Sequence, residues 1–201
     1  MHIDADGWLD AASRYPSPHH NERPDVDDIS LLVIHNISLP PDEYGDRYIS
    51  DLFCGSLPAR RHEHPYLDSI ADLRVAAHFL ILRDGHIQQY VPTTARAWHA
   101  GESSYHGRAN CNDYSIGIEL NGSDHHPYTQ RQYQALAALS RAIMTRHPRI
   151  TAMRITGHSD IAPSRKTDPG PAFNWYYYRR CLEAAHHSAV KRREYWLRQA
   201  G

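Results

Sequence analysis

Three places in the sequence set a reactive side chain where an apolar run ends. Ile34-His35-Asn36 closes the run Leu31-Leu32-Val33-Ile34, and Gly157-His158-Ser159-Asp160 follows a second short apolar segment. Lys166-Thr167-Asp168-Pro169-Gly170-Pro171 places a lysine and an aspartate ahead of a turn stiffened by two prolines. Two imidazoles and a carboxylate form a nitrogen-and-oxygen set suited to catalytic zinc, with the fourth position left to water. Zinc lowers the pKa of bound water to about 7 and makes hydroxide available at neutral pH. Each histidine alone reads equally as a strand-end imidazole satisfied by one hydrogen bond. More than half of the chain separates His35 from His158, so only the fold can bring them together.

A fourth residue adds to these. Glu119 lies in the apolar segment Tyr114–Leu120, where an unpaired acid is costly. It is either salt-bridged or a general base whose pKa burial has raised.

The elements that must position these groups can be read from the pattern. Ser30–His35 reads as a buried central strand. Residues 37–70 carry Pro40-Pro41, Gly45, Gly55, Pro58 and Pro65, leaving room for only short helical pieces. Ala76–Leu82 and His86–Val91 flank Asp84-Gly85, a hairpin turn signal, and Ala95–His99 suits a further short strand. Thr129 and Gln132 form a capping-box pattern, and Tyr133, Leu136, Leu139, Ile143 and Met144 keep helical spacing up to His147-Pro148. Met153–Thr156 reads as a buried strand, and a last helix begins near Phe173. Hairpin signals mixed with strand-helix-strand signals give an α/β class: one domain with a mixed β-sheet flanked by α-helices.

Composition narrows the function classes. The 201 residues hold 22 Lys+Arg against 23 Asp+Glu, a net charge of −1, which disfavours a nucleic-acid binder. No apolar run exceeds five residues, so no membrane span is expected. Cys54, Cys111 and Cys181 are odd in number and widely spaced, as expected of free thiols in a reducing compartment. The amino terminus, MHIDADGWLD, carries acids where an export signal would carry positive charge, so a cytoplasmic location is expected. Histidine is abundant, at 16 residues. The pairs His19-His20, His125-His126 and His186-His187, with His62 and His64, fall in polar segments and are assigned no catalytic duty.

Five motifs are recognisable together. They are Leu31–Pro41, Arg96–Gly101, Cys111–Leu120, Thr156–Pro163 and Arg165–Pro171. In this order they resemble the zinc N-acetylmuramoyl-L-alanine amidases, and most of all the cytoplasmic anhydro-muropeptide amidases of cell-wall recycling. The resemblance runs from about Asp28 to Arg180. It implies a mixed sheet with flanking helices and one Zn2+ per chain, held by His35, His158 and Asp168. It further implies that Glu119 handles the proton of the attacking water and that Lys166 stabilises the oxyanion. Asn36, Arg74 and Arg108 match positions that hold the stem peptide, and Trp98 and His99 match the cleft wall. Ser159 and Tyr114 depart from the common cysteine and phenylalanine without touching an inferred role.

On this basis residues 1–28 are expected as an irregular lead-in, 29–180 as the amidase domain and 181–201 as a helical extension. The expected reaction is hydrolysis of the amide between the lactyl group of (1,6-anhydro-)N-acetylmuramic acid and the L-alanine of the stem peptide. An anhydro-muropeptide is the expected partner, with no nucleic acid, no membrane and a monomeric chain. The competing readings are a non-catalytic muropeptide-binding module of the same fold, an exported amidase lysing polymeric peptidoglycan, and a zinc hydrolase acting on another amide. The complete set of ligands with Glu119 and Lys166 favours the enzyme over the binding module.

Overall fold

The computed structural model describes residues 1–184. Among them the strands are β1 (Ser13–Arg14), β2 (His20–Asn21), β3 (Leu31–Ile37), β4 (Phe79–Ile81), β5 (Ile87–Gln89), β6 (Arg96–Ala97), β7 (Ser104–Tyr105), β8 (Arg108–Ala109), β9 (Ser115–Asn121) and β10 (Ile155–Gly157). The helices are α1 (Arg47–Phe53), α2 (Pro65–Ile70), α3 (Gln130–Arg146), α4 (His158–Ile161) and α5, over 175–184. One mixed sheet runs in the order β1-β5-β4-β9-β3-β10. Only β4 and β5 are antiparallel within it. The expected mixed sheet with flanking helices is therefore present.

Alternation along β3 and β9 divides the molecule. Leu32 and Ile34 of β3, with Ile116, Ile118 and Leu120 of β9, join the cluster formed with Leu136, Leu139 and Ile143 of α3. The intervening residues face the other side, where Leu31 and Val33 meet Ala100, Cys111, Tyr114 and Ile161. His35 and Glu119 belong to this second set by period two. Both strands are thus buried on both faces, which is why each reads as a nearly continuous apolar run.

The helix α3 begins as its sequence signals. Thr129 accepts from the Gln132 N–H, and Gln132 Oε1 accepts from the Thr129 N–H. The hairpin differs slightly from a two-residue turn. Its closing bond runs from the Leu82 N–H to the His86 carbonyl (2.9 Å), leaving Arg83, Asp84 and Gly85 in the loop. Gly85 takes the left-handed position with φ 88°, where a side chain would be strained. Segment 37–70 holds α1, a 3-10 turn over Leu57–Glu63 and α2, in keeping with its proline and glycine content.

The first 28 residues are more closely integrated than an irregular lead-in. Strand β1 pairs with β5, β2 pairs with β6, and Ile3 and Leu9 are buried in the main core. Two-residue strands carry too little periodicity to be seen in sequence. Arg23 is buried as well, donating to the carbonyls of Asn112, Asp113, Thr93 and Ser115. At the other end, Asn174 Oδ1 accepts from the Tyr177 N–H at the start of α5. Only the first four residues of the expected extension, 181–184, are described. His186-His187 and Lys191-Arg192-Arg193 lie outside the described residues. Among the described residues no helix is long and apolar enough to cross a membrane.

Two buried histidines other than His35 and His158 make stability depend on pH. His78 Nδ1 accepts from the Gly117 N–H, and burial, aided by Arg23, holds its pKa well below the usual imidazole value. His147, against Thr93 Oγ1, is lowered to about 4 by burial and then by Arg146 and Arg23. Their folded pKa values lie below the unfolded one, so below pH of about 6.5 the unfolded chain binds protons that the folded chain refuses. Stability should therefore fall as pH drops from about 6.5 toward 4, each group contributing up to about 1.4 kcal/mol per pH unit. Denaturant titrations at pH 7.5, 6 and 5 measure the slope, and His147→Gln should flatten it by one proton's worth.

Candidate active site

The ends of three neighbouring strands build the site. β3 and β9 pair in parallel with His35 opposite Glu119. β10 pairs with β3 on its other side, with Gly157 opposite Ile34, so His158 emerges at the same level as His35. The return from α4 supplies the remaining groups. Ala162 O accepts from the Arg165 and Lys166 N–H groups, and Asp168 O accepts from the Ser159 N–H at 2.9 Å. That last bond ties the aspartate back to the residue after His158.

His35 Nδ1, His158 Nδ1 and Asp168 Oδ2 converge. The two nitrogens are 2.9 Å apart, and each lies 3.1 Å from the carboxylate oxygen. Among the described residues these three form a group that could hold a metal ion. The sequence thus named three residues that the fold brings together. The outer ring nitrogens are already engaged, His35 Nε2 with His99 Nδ1 (2.9 Å) and His158 Nε2 with the Ala100 carbonyl (3.0 Å). A carbonyl only accepts, so the neutral His158 ring carries its proton on Nε2 and presents a lone pair at Nδ1. Burial, the largest influence, lowers the His35 pKa to about 4 and keeps the ring in the neutral, ligating form. At Asp168 burial pushes the pKa up, but the close approach of the two imidazoles outweighs it and holds the carboxyl well below the usual range.

Glu119 is buried beside this group. His35 Nδ1 lies 4.0 Å from its Oε1, and a neutral His35 supplies no compensating cation there. Burial raises its pKa well above the usual carboxylate value; Asp168 adds to the rise and Lys166 opposes it. Its Oε2 is buried without a hydrogen-bond partner. Between salt bridge and proton acceptor, this environment is that of a group poised to exchange a proton. An orphaned carboxylate oxygen next to three convergent lone pairs fits a metal ion carrying a water.

A cavity of about 360 Å3 opens over these groups. Glu119, His158, Lys166 and Asp168 line it, together with Asn36 and Trp98. Asn36 donates to Asp124 Oδ1 at 2.8 Å. Trp98 stacks on His19 and donates to Asn21 Oδ1. Arg74 lines an adjoining cavity that shares Leu73 and Trp98 with the first. Arg108 stands elsewhere: it pairs with Asp28 and lies 3.8 Å over the Tyr114 ring, outside the cavity lining. His99, expected as cleft wall, also lines the cavity while bonding to His35. Sequence reasoning passed over Arg23, Asn112 and Arg165, whose partners are mostly backbone groups and leave no spacing signal.

The N-acetylmuramoyl-L-alanine amidase family model (Amidase_2) matches residues 25–171. The chain belongs to this family. It is 56% identical over 185 residues to the 1,6-anhydro-N-acetylmuramyl-L-alanine amidase AmpD of Citrobacter freundii, covering 92% of this chain and 97% of that one. Identity to AmpD of Escherichia coli (strain K12) is 57% over 173 residues, 86% of this chain and 93% of the relative. The crystal structure of a Se-Met AmpD derivative superposes with a TM-score of 0.85 at 56% identity, covering 90% of this chain and 99% of that one. A more distant relative, the amidase AmiD of E. coli, was solved with anhydro-N-acetylmuramic acid-L-Ala-D-gamma-Glu-L-Lys. It matches with a TM-score of 0.58 at 29% identity, over 87% of this chain and 60% of that one.

If His35, His158 and Asp168 are ligands and Glu119 is not, metal uptake separates them. Asp168→Ala should weaken Zn2+ binding by more than the roughly 100-fold that loss of an outer partner costs. Glu119→Gln should still bind one equivalent. Equilibrium dialysis with metal analysis gives both numbers, and loss of the ion from Glu119→Gln would move Glu119 into the ligand set.

Proposed function

We propose that this protein hydrolyses the amide between the lactyl group of 1,6-anhydro-N-acetylmuramic acid and the L-alanine of the stem peptide, as a zinc enzyme of cytoplasmic cell-wall recycling. The observation that carries the reading is the convergence of His35, His158 and Asp168 beside the unpartnered Glu119 carboxylate in an open cavity. The identity to AmpD relatives over most of both chains supports the choice of substrate.

His35 and His158 through Nδ1 and Asp168 through Oδ2 would hold the ion. When bound, zinc supplies Lewis acidity toward the carbonyl and makes hydroxide available near neutral pH. Glu119 accepts the proton released as water attacks, which its raised pKa favours, and holds it at the buried carboxyl. It then donates that proton to the leaving amine of L-alanine, so the free peptide departs neutral at that nitrogen. Lys166, which lines the same cavity, would stabilise the oxygen on which negative charge develops. Trp98 gives the substrate a flat apolar wall, and Asn36 offers a polar edge fixed by Asp124.

Carboxylates of the stem peptide require cations, and Arg74 stands in the adjoining cavity beyond Trp98. Arg108, proposed from the family pattern for the same task, would first have to leave Asp28. Arg74→Ala should therefore raise KM for a charged stem peptide more than Arg108→Ala does.

The deciding assay gives the purified protein anhydro-muropeptide and intact sacculi in parallel, with and without chelator. Release of free stem peptide from the anhydro-muropeptide, abolished by chelator and restored by Zn2+, is the expected result. Chelator-resistant cleavage would sink the metal mechanism, cleavage of sacculi alone would sink the recycling role, and binding without cleavage would leave a muropeptide-binding module. Lys166→Ala should lower kcat by about 10²–10³, the usual cost of an oxyanion partner, while its zinc content stays at one equivalent.

A further inference from the structure

We propose that the dipeptide His99-Ala100, clamped by the side chain of Asn112, positions both histidine ligands and sets which nitrogen each presents to the metal. The proposal rests on the metal-site reading above and assigns it three residues that touch neither metal nor substrate carbonyl.

The two ligands lean on adjacent residues of one short segment. His158 Nε2–H donates to the Ala100 carbonyl at 3.0 Å, and His35 Nε2 lies 2.9 Å from His99 Nδ1. A neutral imidazole has one donor and one acceptor nitrogen. With Nδ1 of His35 given to the metal, its proton is on Nε2, and His99 Nδ1 must accept it. His99 then carries its own proton on Nε2, where Ser115 Oγ accepts at 3.1 Å. The polarity of this relay follows from the ligand role alone. The rings of His35 and His99 meet edge to face, at 88° and 5.0 Å between centroids, so the contact restricts ring rotation as well.

The surroundings are built to hold His99 in place. One face of β9 reads Ser115, Gly117, Glu119, and the middle position has no side chain. A Cβ on Gly117 would stand 2.5 Å from His99 Nδ1, so the ring occupies the space that glycine vacates. The segment itself hangs on Asn112, whose Oδ1 accepts from the His99 N–H (3.1 Å) and the Ala100 N–H (2.8 Å). Without that oxygen, two backbone donors beside the site would be left unpaired. Asn112 sits in a 3-10 turn, Cys111–Asp113, and its carbonyl accepts from Arg23. Arg165 adds a second donor to the Ala100 carbonyl at 2.7 Å, which fixes the oxygen that orients His158. One carboxamide therefore governs the placement of both ligand-orienting groups, although they act on histidines from opposite ends of the sequence.

The test is zinc affinity measured by competition with a chromophoric chelator, together with the visible spectrum of the Co2+-substituted protein. His99→Ala and Asn112→Ala should each weaken Zn2+ binding about 10–100-fold, the usual cost of losing an outer-shell partner. Their Co2+ absorption bands should shift in position and intensity, which a general loss of stability would not cause in folded protein. His99→Gln and Asn112→Asp keep an acceptor oxygen and should recover most of the affinity. Gly117→Ala, which displaces the ring without removing it, should reproduce the His99→Ala defect. Circular dichroism of the metal-free proteins establishes that each variant is folded. Wild-type affinity and an unchanged Co2+ spectrum in folded His99→Ala and Asn112→Ala would overturn the proposal. Failure of the wild-type protein itself to take up Zn2+ or Co2+ would instead overturn the metal-site reading.

Discussion

The parallel pairing of Leu31–Ile37 with Ser115–Asn121 is the interaction on which the remainder depends. Seven residue pairs run in register, and the fifth sets His35 beside Glu119. A slip of one residue would turn every side chain of a strand to the opposite face. It would send His35 or Glu119 into the apolar layer against Gln130–Arg146 and bring Ile34 or Ile118 into the cavity. The register is held because Leu32, Ile34, Ile116, Ile118 and Leu120 must all face that helix. The energetics of one face thus dictate the chemistry of the other.

Burial then decides the protonation states. The strand ends lie deep enough that an imidazole there stays neutral and a carboxylate resists ionising, as His35 and Glu119 both do. These opposite consequences of one cause suit the metal-site reading: imidazoles with free lone pairs, and a carboxylate that takes a proton more readily than usual. Asp168 escapes the same fate through its contacts with the two imidazoles, which hold it ionised. Lys166, which also lines the cavity, opposes the rise at Glu119.

Much of this was legible in the sequence because it is carried by side-chain pattern. The apolar run ending in His35, the capping box at Thr129 and the turn at Asp84-Gly85 each leave a local signature and appear close to where the pattern puts them. The strand expected over Met153–Thr156 is instead Ile155–Gly157, with Met153 exposed in a 3-10 turn. Convergence of His35 with His158 was another matter, since no spacing rule reaches across the intervening strands; the ordered set of motifs carried it. What stayed hidden is carried by the backbone. Arg23 satisfies four carbonyls, Asn112 satisfies two N–H groups, and Ala100 holds His158 through its own carbonyl. Such roles need an arginine, an asparagine or any residue at all, so composition and spacing do not announce them. The lead-in before Asp28 was underestimated for the same reason.

Arg23 shows how that hidden layer bears on the site. A buried guanidinium is expensive, and its pKa is lowered to about 10, chiefly by burial and then by Arg96, with Asp113 opposing. The carbonyls of Thr93, Asn112, Asp113 and Ser115 offset the cost by directing their dipoles at it. Its charge in turn adds to burial in opposing protonation of His78, His99 and His147. His99 has to remain neutral if its Nδ1 is to accept from His35, because a protonated ring would present a donor to a donor. His78, packed edge to face at 5.7 Å from His99, has to remain neutral for its Nδ1 to accept from the Gly117 N–H. A single cation from the first 28 residues therefore helps preserve the hydrogen-bond polarity of the layer behind the ligands. Its position next to the Asn112 carbonyl and the Ser115 carbonyl ties that electrostatic effect to the same strand and turn that hold His99 in place.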